Sequence, residues 1–171
     1  MTTTAELLTD GFDRVREEVA GVLDGASDAV LRHRPGPGAN TVAWLVWHLT
    51  RVQDAQLADA LGHPDTWQTE GWEERFGLPF EPGATGYGQD PDEAARVTAG
   101  RELLAGYHEA VAHHVHEWLA GLGDADLDKV VDPRWDPPVT LGVRIVSVLA
   151  DALQHVGQAA YVRGLAERAG T

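Results

Sequence analysis

Three residues of this chain combine metal-coordinating chemistry with an inward position on a predicted helix: His48, Asp151 and His155. Asp151 and His155 are four residues apart, so on an α-helix their side chains leave one face with Cβ atoms about 5–6 Å apart. A carboxylate and an imidazole that point towards an apolar interior are costly unless something pairs them. They can pair with each other, with a third polar group or with a metal ion.

The elements that would position these residues are two amphipathic helices. The last predicted helix begins after Thr140 and extends to about Arg168, with Asp151 and His155 at the edge of its apolar stripe. His48 lies in the middle of the inward stripe of a helix that Asn40 or Thr41 caps and Gly62 ends. The other members of that second stripe are Trp44, Leu45, Val52, Ala55 and Asp59.

This arrangement supports two interpretations. Two ligands at i,i+4 on one helix and a third on a facing helix are a common way to hold a divalent ion in a bundle. Three protein ligands leave positions open for water or substrate, as in catalytic sites. The alternative is a buried His–Asp hydrogen-bonded pair without an ion, with His48 as an ordinary core histidine. Spacing alone leaves both interpretations open.

A second group of histidines lies in the segment YHEAVAHHVHEW. Its members Glu109, His113 and Glu117 share one helix face, which is turned away from the apolar stripe of the same helix. We therefore predict that this face is solvated. His108 and His114 are predicted to lie nearer the boundary with the core.

Hydrophobic periodicity predicts four long helices joined by irregular segments. Their approximate bounds are Thr4–Asp24, Thr41–Gly62, Asp90–Gly121 and Thr140–Arg168. Residues 63–90 are rich in Pro, Gly and aromatic residues and are expected to pack on the bundle or to line a pocket mouth. No strand is predicted. We expect one all-α domain over residues 1–171, an antiparallel four-helix bundle with a long crossing connection between helices 2 and 3.

Composition excludes several classes of function. The formal charge of −14 argues against nucleic-acid binding and against binding to anionic membranes. The absence of cysteine excludes disulfides, thiolate ligands and a cysteine nucleophile. The sequence contains no HExxH, P-loop or Gly-x-Ser-x-Gly motif. Since neither a signal peptide nor a long apolar run is seen, we expect a cytoplasmic protein.

The segments WLVWHLTRVQD and DALQHVGQAAYVRG, together with TGYGQD at Thr85–Asp90, resemble the DinB-like superfamily of four-helix metalloenzymes. Within it, the sequence looks similar to a subgroup related to the mycothiol-dependent maleylpyruvate isomerases. The resemblance implies a metal held by one histidine of the second helix and a pair on the last helix, which map to His48, Asp151 and His155. The first residue of that pair is most often His, but the isomerase relatives carry Glu there, so Asp151 is chemically compatible.

The resemblance implies a divalent-metal-dependent enzyme, and some members are thiol S-transferases or isomerases that use mycothiol or a similar small thiol. We expect Zn, with Ni, Fe or Mn as alternatives, because N and O ligands discriminate little among these ions. Arg51 and Arg144 are candidates to bind such a thiol. The expected partner is a small-molecule substrate, and the aromatic-rich connection also suggests a homodimer. The rival hypothesis is a non-catalytic bundle of stress response or assembly whose polar trio fixes helix register.

Overall fold

The computed structural model describes residues 2–171, most of which are helical. The helices are α1 (Thr4–Leu23), α2 (Asp28–Arg32), α3 (Val42–Leu61), α4 (Thr66–Thr69), α5 (Trp72–Phe76), α6 (Pro91–Ala94), α7 (Arg101–Ala120) and α8 (Leu141–Arg168). The long helices α1, α3, α7 and α8 form a four-helix bundle, which confirms the all-α prediction. None of the helices within residues 2–171 is long and apolar enough to cross a lipid bilayer.

Two of the long helices, α3 and α8, begin at their predicted capping residues, and α3 also ends at its predicted glycine. The side chain of Thr41 accepts a hydrogen bond from the backbone N–H of Trp44 at the start of α3. Thr140 caps α8 in the same way. Gly62 ends α3 with a φ of 73°, the left-handed conformation that glycine adopts without strain.

The prediction of one continuous third helix over Asp90–Gly121 was wrong in its first part. Asp90 does form a capping box with Glu93, but the helix that it starts, α6, is one turn long. The chain then leaves helical conformation and α7 begins only after Gly100, which is extended. Val97 is fully buried in this break. The low helix propensity of Val97, Thr98 and Gly100 makes the interruption inexpensive.

The prediction that the chain contains no strand was also wrong. After a 3₁₀ turn at Asp124–Asp128, β1 (Val130–Asp132) and β2 (Val139–Thr140) pair antiparallel just before α8. The sheet is too short to give a periodic signal in the sequence. Asp132 is buried and accepts hydrogen bonds from Arg134 and Arg144, which joins the hairpin to α8.

α8 runs antiparallel to α3 and parallel to α1. Near one end of the α3–α8 pair the rings of His48 and His155 are in contact, and near the other end Arg144 donates to Gln56. α1 runs antiparallel to α7, because Arg16 forms an ion pair with Glu109 and the ring of His116 contacts Asp13. α3 and α7 are therefore parallel to each other. The connection between them must travel the length of the bundle, as predicted.

α1 and α8 are in close contact in the first half of each helix and are joined by hydrogen bonds near their C-terminal ends. Gly11 lies against Leu149, where a Cβ atom would come within 2.7 Å of the leucine side chain. Further along, the guanidinium of Arg163 donates to the carbonyl oxygen of Gly21. The order of these contacts along both helices shows that α1 and α8 point the same way.

The connection is anchored to α3 at Asp54, which forms a fully buried ion pair with Arg51 of the same helix, 3.3 Å away. Asp54 also accepts from the backbone N–H groups of Thr66 and Trp67, at 2.8 and 2.7 Å, and so caps α4. The hydroxyl of Tyr107 on α7 donates to the same carboxylate at 2.7 Å. This network fixes α3, α4 and α7 against one another.

The aromatic residues of the connection are mostly core residues, since Trp67, Trp72 and Phe76 are buried. The connection therefore packs on the bundle, which is one of its two expected roles.

Candidate metal centre

The three residues singled out by the sequence converge at the contact between α3 and α8. One donor atom from each of His48, Asp151 and His155 lies within 4.8 Å of the other two. The two imidazole rings meet edge to face, with centroids 4.7 Å apart. His48 is buried, whereas Asp151 and His155 are partly exposed. The group is therefore closed on the α3 side and open on the α8 side.

His48 is oriented by the connection. Its Nδ1 atom is 2.5 Å from the carbonyl oxygen of Thr85, and because a carbonyl can only accept, Nδ1 carries the proton. The lone pair is then on Nε2, which is the usual arrangement of a metal-binding histidine. The ring also stacks on Trp44, with centroids 4.5 Å apart. Burial lowers the pKa of His48, against the hydrogen bond to Thr85, and favours the neutral form that a ligand requires.

His155 has a matching arrangement. Its Nδ1 atom is 3.0 Å from the side-chain carbonyl oxygen of Gln158, so Nδ1–H donates and Nε2 is free. Nε2 lies 3.5 Å from Oδ1 of Asp151. The interaction with Asp151 raises the pKa of His155 despite partial burial. A proton and a cation would therefore compete for the same nitrogen.

Asp151 provides the test of whether a cation fits. Its Oδ2 atom is buried and has no hydrogen-bond partner among residues 2–171. Buried carboxylate oxygens without a partner are rare, because their desolvation is not repaid. A divalent cation beside two imidazole nitrogens would satisfy this oxygen, and a His₂Asp set has the nitrogen and oxygen donors that such ions accept. The residues present therefore fit a divalent metal ion.

Gly86 allows the connection to approach the site. Its φ is 93°, and a Cβ atom there would lie 2.8 Å from Nδ1 of His48 and 3.0 Å from the ring of Trp44. Ala84, two residues earlier, is also held in place, because Arg51 donates a hydrogen bond to its carbonyl oxygen at 3.2 Å. The backbone of the TGYGQD segment is therefore in direct contact with a predicted metal ligand.

The same segment also contacts Trp44, the residue on which His48 stacks. The indole N–H of Trp44 donates to the side-chain oxygen of Gln89 at 2.9 Å. Tyr87 is almost completely exposed. Because 36% of the Asp151 side chain and 20% of the His155 side chain are accessible, a small molecule can approach the group from the α8 side.

Sequence reasoning found the three central residues but missed those that orient them. Neither Thr85 nor Gln158 was assigned a role, although a glutamine three residues after a candidate histidine is a usable signal. His108 was also misplaced: it is buried, and burial lowers its pKa to about 4. By contrast, His113 is exposed, as predicted.

Of the two arginines proposed to bind a thiol, Arg51 cannot face a ligand. It is fully buried, and its guanidinium contacts only protein groups. Arg144 is partly accessible and contacts Gln56 and Asp132. It precedes Asp151 by seven residues, about 10 Å along α8.

The fold and the site together define a class: a four-helix bundle with a nitrogen and oxygen donor set between two antiparallel helices. The family profile of the DinB superfamily matches residues 11–159, and the chain belongs to this superfamily. A conserved protein from Enterococcus faecalis, known from a crystal structure, is similar over 96% of this chain and 98% of its own. The TM-score is 0.89 and the sequence identity is 32%. No curated protein matches the chain.

Proposed function

We propose that the protein is a divalent-metal-dependent enzyme in which His48, Asp151 and His155 hold the ion. One observation carries this proposal. The Nδ1 protons of both histidines are committed to acceptors, at Thr85 and Gln158, which leaves both Nε2 atoms free near a carboxylate with an unpartnered buried oxygen. A cation placed between these donor atoms would satisfy all of them at once.

Zn²⁺ is the ion that we expect, with Ni, Fe and Mn as alternatives. When bound, a divalent ion acts as a Lewis acid and lowers the pKa of a coordinating thiol or water. The protein groups would divide the remaining work. His48, stacked on Trp44, closes the buried side against water, while the partly exposed Asp151 and His155 face the side from which a small-molecule substrate would enter.

The reaction class that we propose is thiol transfer or a thiol-assisted isomerisation with a low-molecular-weight thiol such as mycothiol. The support is the resemblance of the motif helices to the mycothiol-dependent isomerase subgroup. The absence of cysteine from the sequence is consistent with a sulfur nucleophile supplied by a co-substrate. Arg144, partly accessible on the same helix as two of the ligands, is the candidate to contact an acidic group of that co-substrate.

A second candidate function is that of a non-catalytic bundle in which the trio only fixes helix register. The observation in its favour is that His155 and Asp151 already form a pair at 3.5 Å without an ion. Polar residues that specify register are known in other helical assemblies.

The test is elemental analysis of protein purified without a polyhistidine tag or a nickel column. Wild type should hold about one transition-metal ion per chain, and His48→Ala and His155→Ala should hold none. His113→Ala is the matched control, because this histidine is exposed and far from the trio in sequence. A wild-type protein that contains no metal and takes up none of Zn, Ni, Mn or Fe would refute the proposal.

A thermal-shift measurement separates the two candidate functions. Because an ion that binds only the folded state stabilises it, EDTA should lower the melting temperature of wild type and one specific ion should restore it. If the three residues only fix helix register, EDTA should leave the melting temperature unchanged. With the ion identified, thiol-transfer activity can be screened with wild type and with Arg144→Ala, whose metal content should be unchanged.

A further inference from the structure

The outer face of α8 is unusual because it is exposed but carries no charge. Between Leu141 and Gly164, the exposed residues are Val143, Val146, Ser147, Ala150, Leu153, Gln154, Gly157, Gln158, Ala160 and Tyr161. None of them is ionisable at neutral pH, although 23% of the chain is charged and its formal net charge is −14. α1 shows the contrast, since its exposed face carries Asp10, Arg14, Glu17 and Glu18.

The apolar residues of this face are spaced as in a coiled coil. Residues 143, 146, 150, 153, 157 and 160 follow one another at alternating steps of three and four, which is the a/d pattern of a heptad repeat. We call these six residues the outer seam. Val143 and Val146 are more than half exposed, and Leu153 is 43% exposed. A continuous apolar strip of this kind, about 27 Å long, is typical of an interaction surface.

We propose that the outer seam is the interface of a homodimer, in which two copies of α8 pair antiparallel about a two-fold axis. In an antiparallel coiled coil each a position faces a d position of the other helix. With the axis between residues 151 and 152, every large residue of the seam then faces a small one. The facing pairs are Val143 with Ala160, Val146 with Gly157 and Leu153 with Ala150. The two-fold axis generates each pair twice.

A parallel arrangement fits less well. It would place Gly157 opposite Gly157, which leaves a gap at that layer, and Val146 opposite Val146, which crowds another layer. The antiparallel arrangement alternates large and small side chains at every layer. The seam is therefore complementary to itself in one orientation only.

Charge also favours a second copy over a different partner. Two chains with a net charge of −14 repel each other through most of their surfaces. The six residues of the outer seam carry no charge, so two copies repel each other less along this strip than along the charged face of α1. A basic partner would gain nothing from this neutral strip and would be drawn to the acidic faces instead.

The interface would also reach the candidate metal centre. Gln158, whose side chain holds Nδ1 of His155, lies at the edge of the outer seam. A second copy would therefore shield this glutamine from water. The surface differs from the one that the sequence suggested, because the aromatic residues Trp67, Trp72 and Phe76 of the connection are buried.

The first experiment measures molar mass by light scattering during size-exclusion chromatography. Wild type should have twice the chain mass of 18.4 kDa, and Leu153→Glu should have the mass of one chain. Ala105→Glu on α7 is the matched control, because it adds the same charge at an exposed helical position away from the seam. Circular dichroism should show the same helix content in all three. A monomeric wild type, or a dimer that Leu153→Glu leaves intact, would overturn the proposal.

The second experiment tests the relative orientation of the two α8 helices. Because the chain has no native cysteine, only the introduced cysteines can form a disulfide. In Val146→Cys/Gly157→Cys, oxidation should link position 146 of one chain to position 157 of the other. These positions are about 16 Å apart within one helix, too far for an intrachain disulfide. Position 157 has open space for a side chain. Val146→Cys alone should remain uncrosslinked, and a link between the two copies of position 146 would overturn the antiparallel pairing.

Discussion

Gly86 and Gly88 share a left-handed backbone, with φ of 93° and 77°, but only Gly86 is crowded. A side chain at position 88 would enter open space, whereas one at position 86 would press on His48 and Trp44. Substitution of Gly88 therefore measures the cost of the left-handed backbone alone, whereas substitution of Gly86 adds the cost of crowding the site.

We predict that Gly86→Ala destabilises the fold more than Gly88→Ala does. Both substitutions pay about 1–2 kcal/mol for a left-handed non-glycine residue. Gly86→Ala should lose a further 1–3 kcal/mol, roughly, because the added methyl group overpacks the contact with His48. Denaturant unfolding measures both free energies, and equal losses would show that the contact with His48 is not tight.

Gln158 offers a test of the hydrogen bond that orients His155. Gln158→Leu should weaken metal affinity by about 10–100-fold, because the ligand loses the acceptor that fixes its tautomer. Gln158→Glu keeps an acceptor and should retain affinity. Competition with a fluorescent chelator gives the affinities. Gln154→Leu, one turn earlier on the exposed face, is the control and should match wild type.

The buried pair of Arg51 and Asp54 should be far more important to stability than any surface pair. Asp54→Ala leaves the buried guanidinium of Arg51 without its buried counterion, and the backbone N–H groups of Thr66 and Trp67 without an acceptor, so we expect a loss of about 3–5 kcal/mol. Asp10→Ala removes an exposed partner of Arg14 and should cost far less, because solvent screens surface ion pairs. Comparable values from urea titrations of the two variants would contradict the assigned role of the network.

His108 should make the fold sensitive to acid. Burial lowers its pKa from 6.5 to about 4, and Glu109 and Arg16 are the charged groups nearby that also act on it. The unfolded chain therefore binds a proton at a higher pH than the folded chain, and stability falls as the pH drops from 6.5 towards 4. The loss is of the order of 2–3 kcal/mol.

The measurement is the free energy of unfolding at several pH values between about 7 and 4.5. His108→Gln should lose less stability over this range than wild type does, whatever its stability at neutral pH. His113→Gln replaces an exposed histidine and should follow the wild-type profile. A His108→Gln profile parallel to that of wild type would show that another group is responsible for the acid sensitivity.

The sequence was a good guide wherever a local pattern and the tertiary structure agreed. Asp151 and His155 come together because one helix turn places them side by side, and His48 meets them because its stripe faces α8. Thr41 and Thr140 cap their helices through hydrogen bonds within a few residues. These features depend on short-range geometry, which the order of residues specifies.

The sequence was a poor guide wherever the connection covers a helix. A single inward stripe was expected on α3, but residues 41–51 are all buried, because the connection packs on the side that would otherwise face water. Arg51 and Asp54 were therefore not recognised as core residues. Conversely Asp59, assigned to the stripe, is exposed near the end of the helix. Helical periodicity alone does not show which distant segment will cover a face.

His48 and His155 lie more than a hundred residues apart in the chain, and this separation bears on when the site can exist during protein synthesis. A ribosome releases the chain from its N-terminus, at about 5–20 residues per second. The nascent protein carries His48 for several seconds before α8 emerges, and in that interval a single imidazole has no partner with which to retain an ion. Under the proposed function, metal uptake at this site would therefore follow the synthesis and docking of α8, and a loaded site would report that α8 has docked.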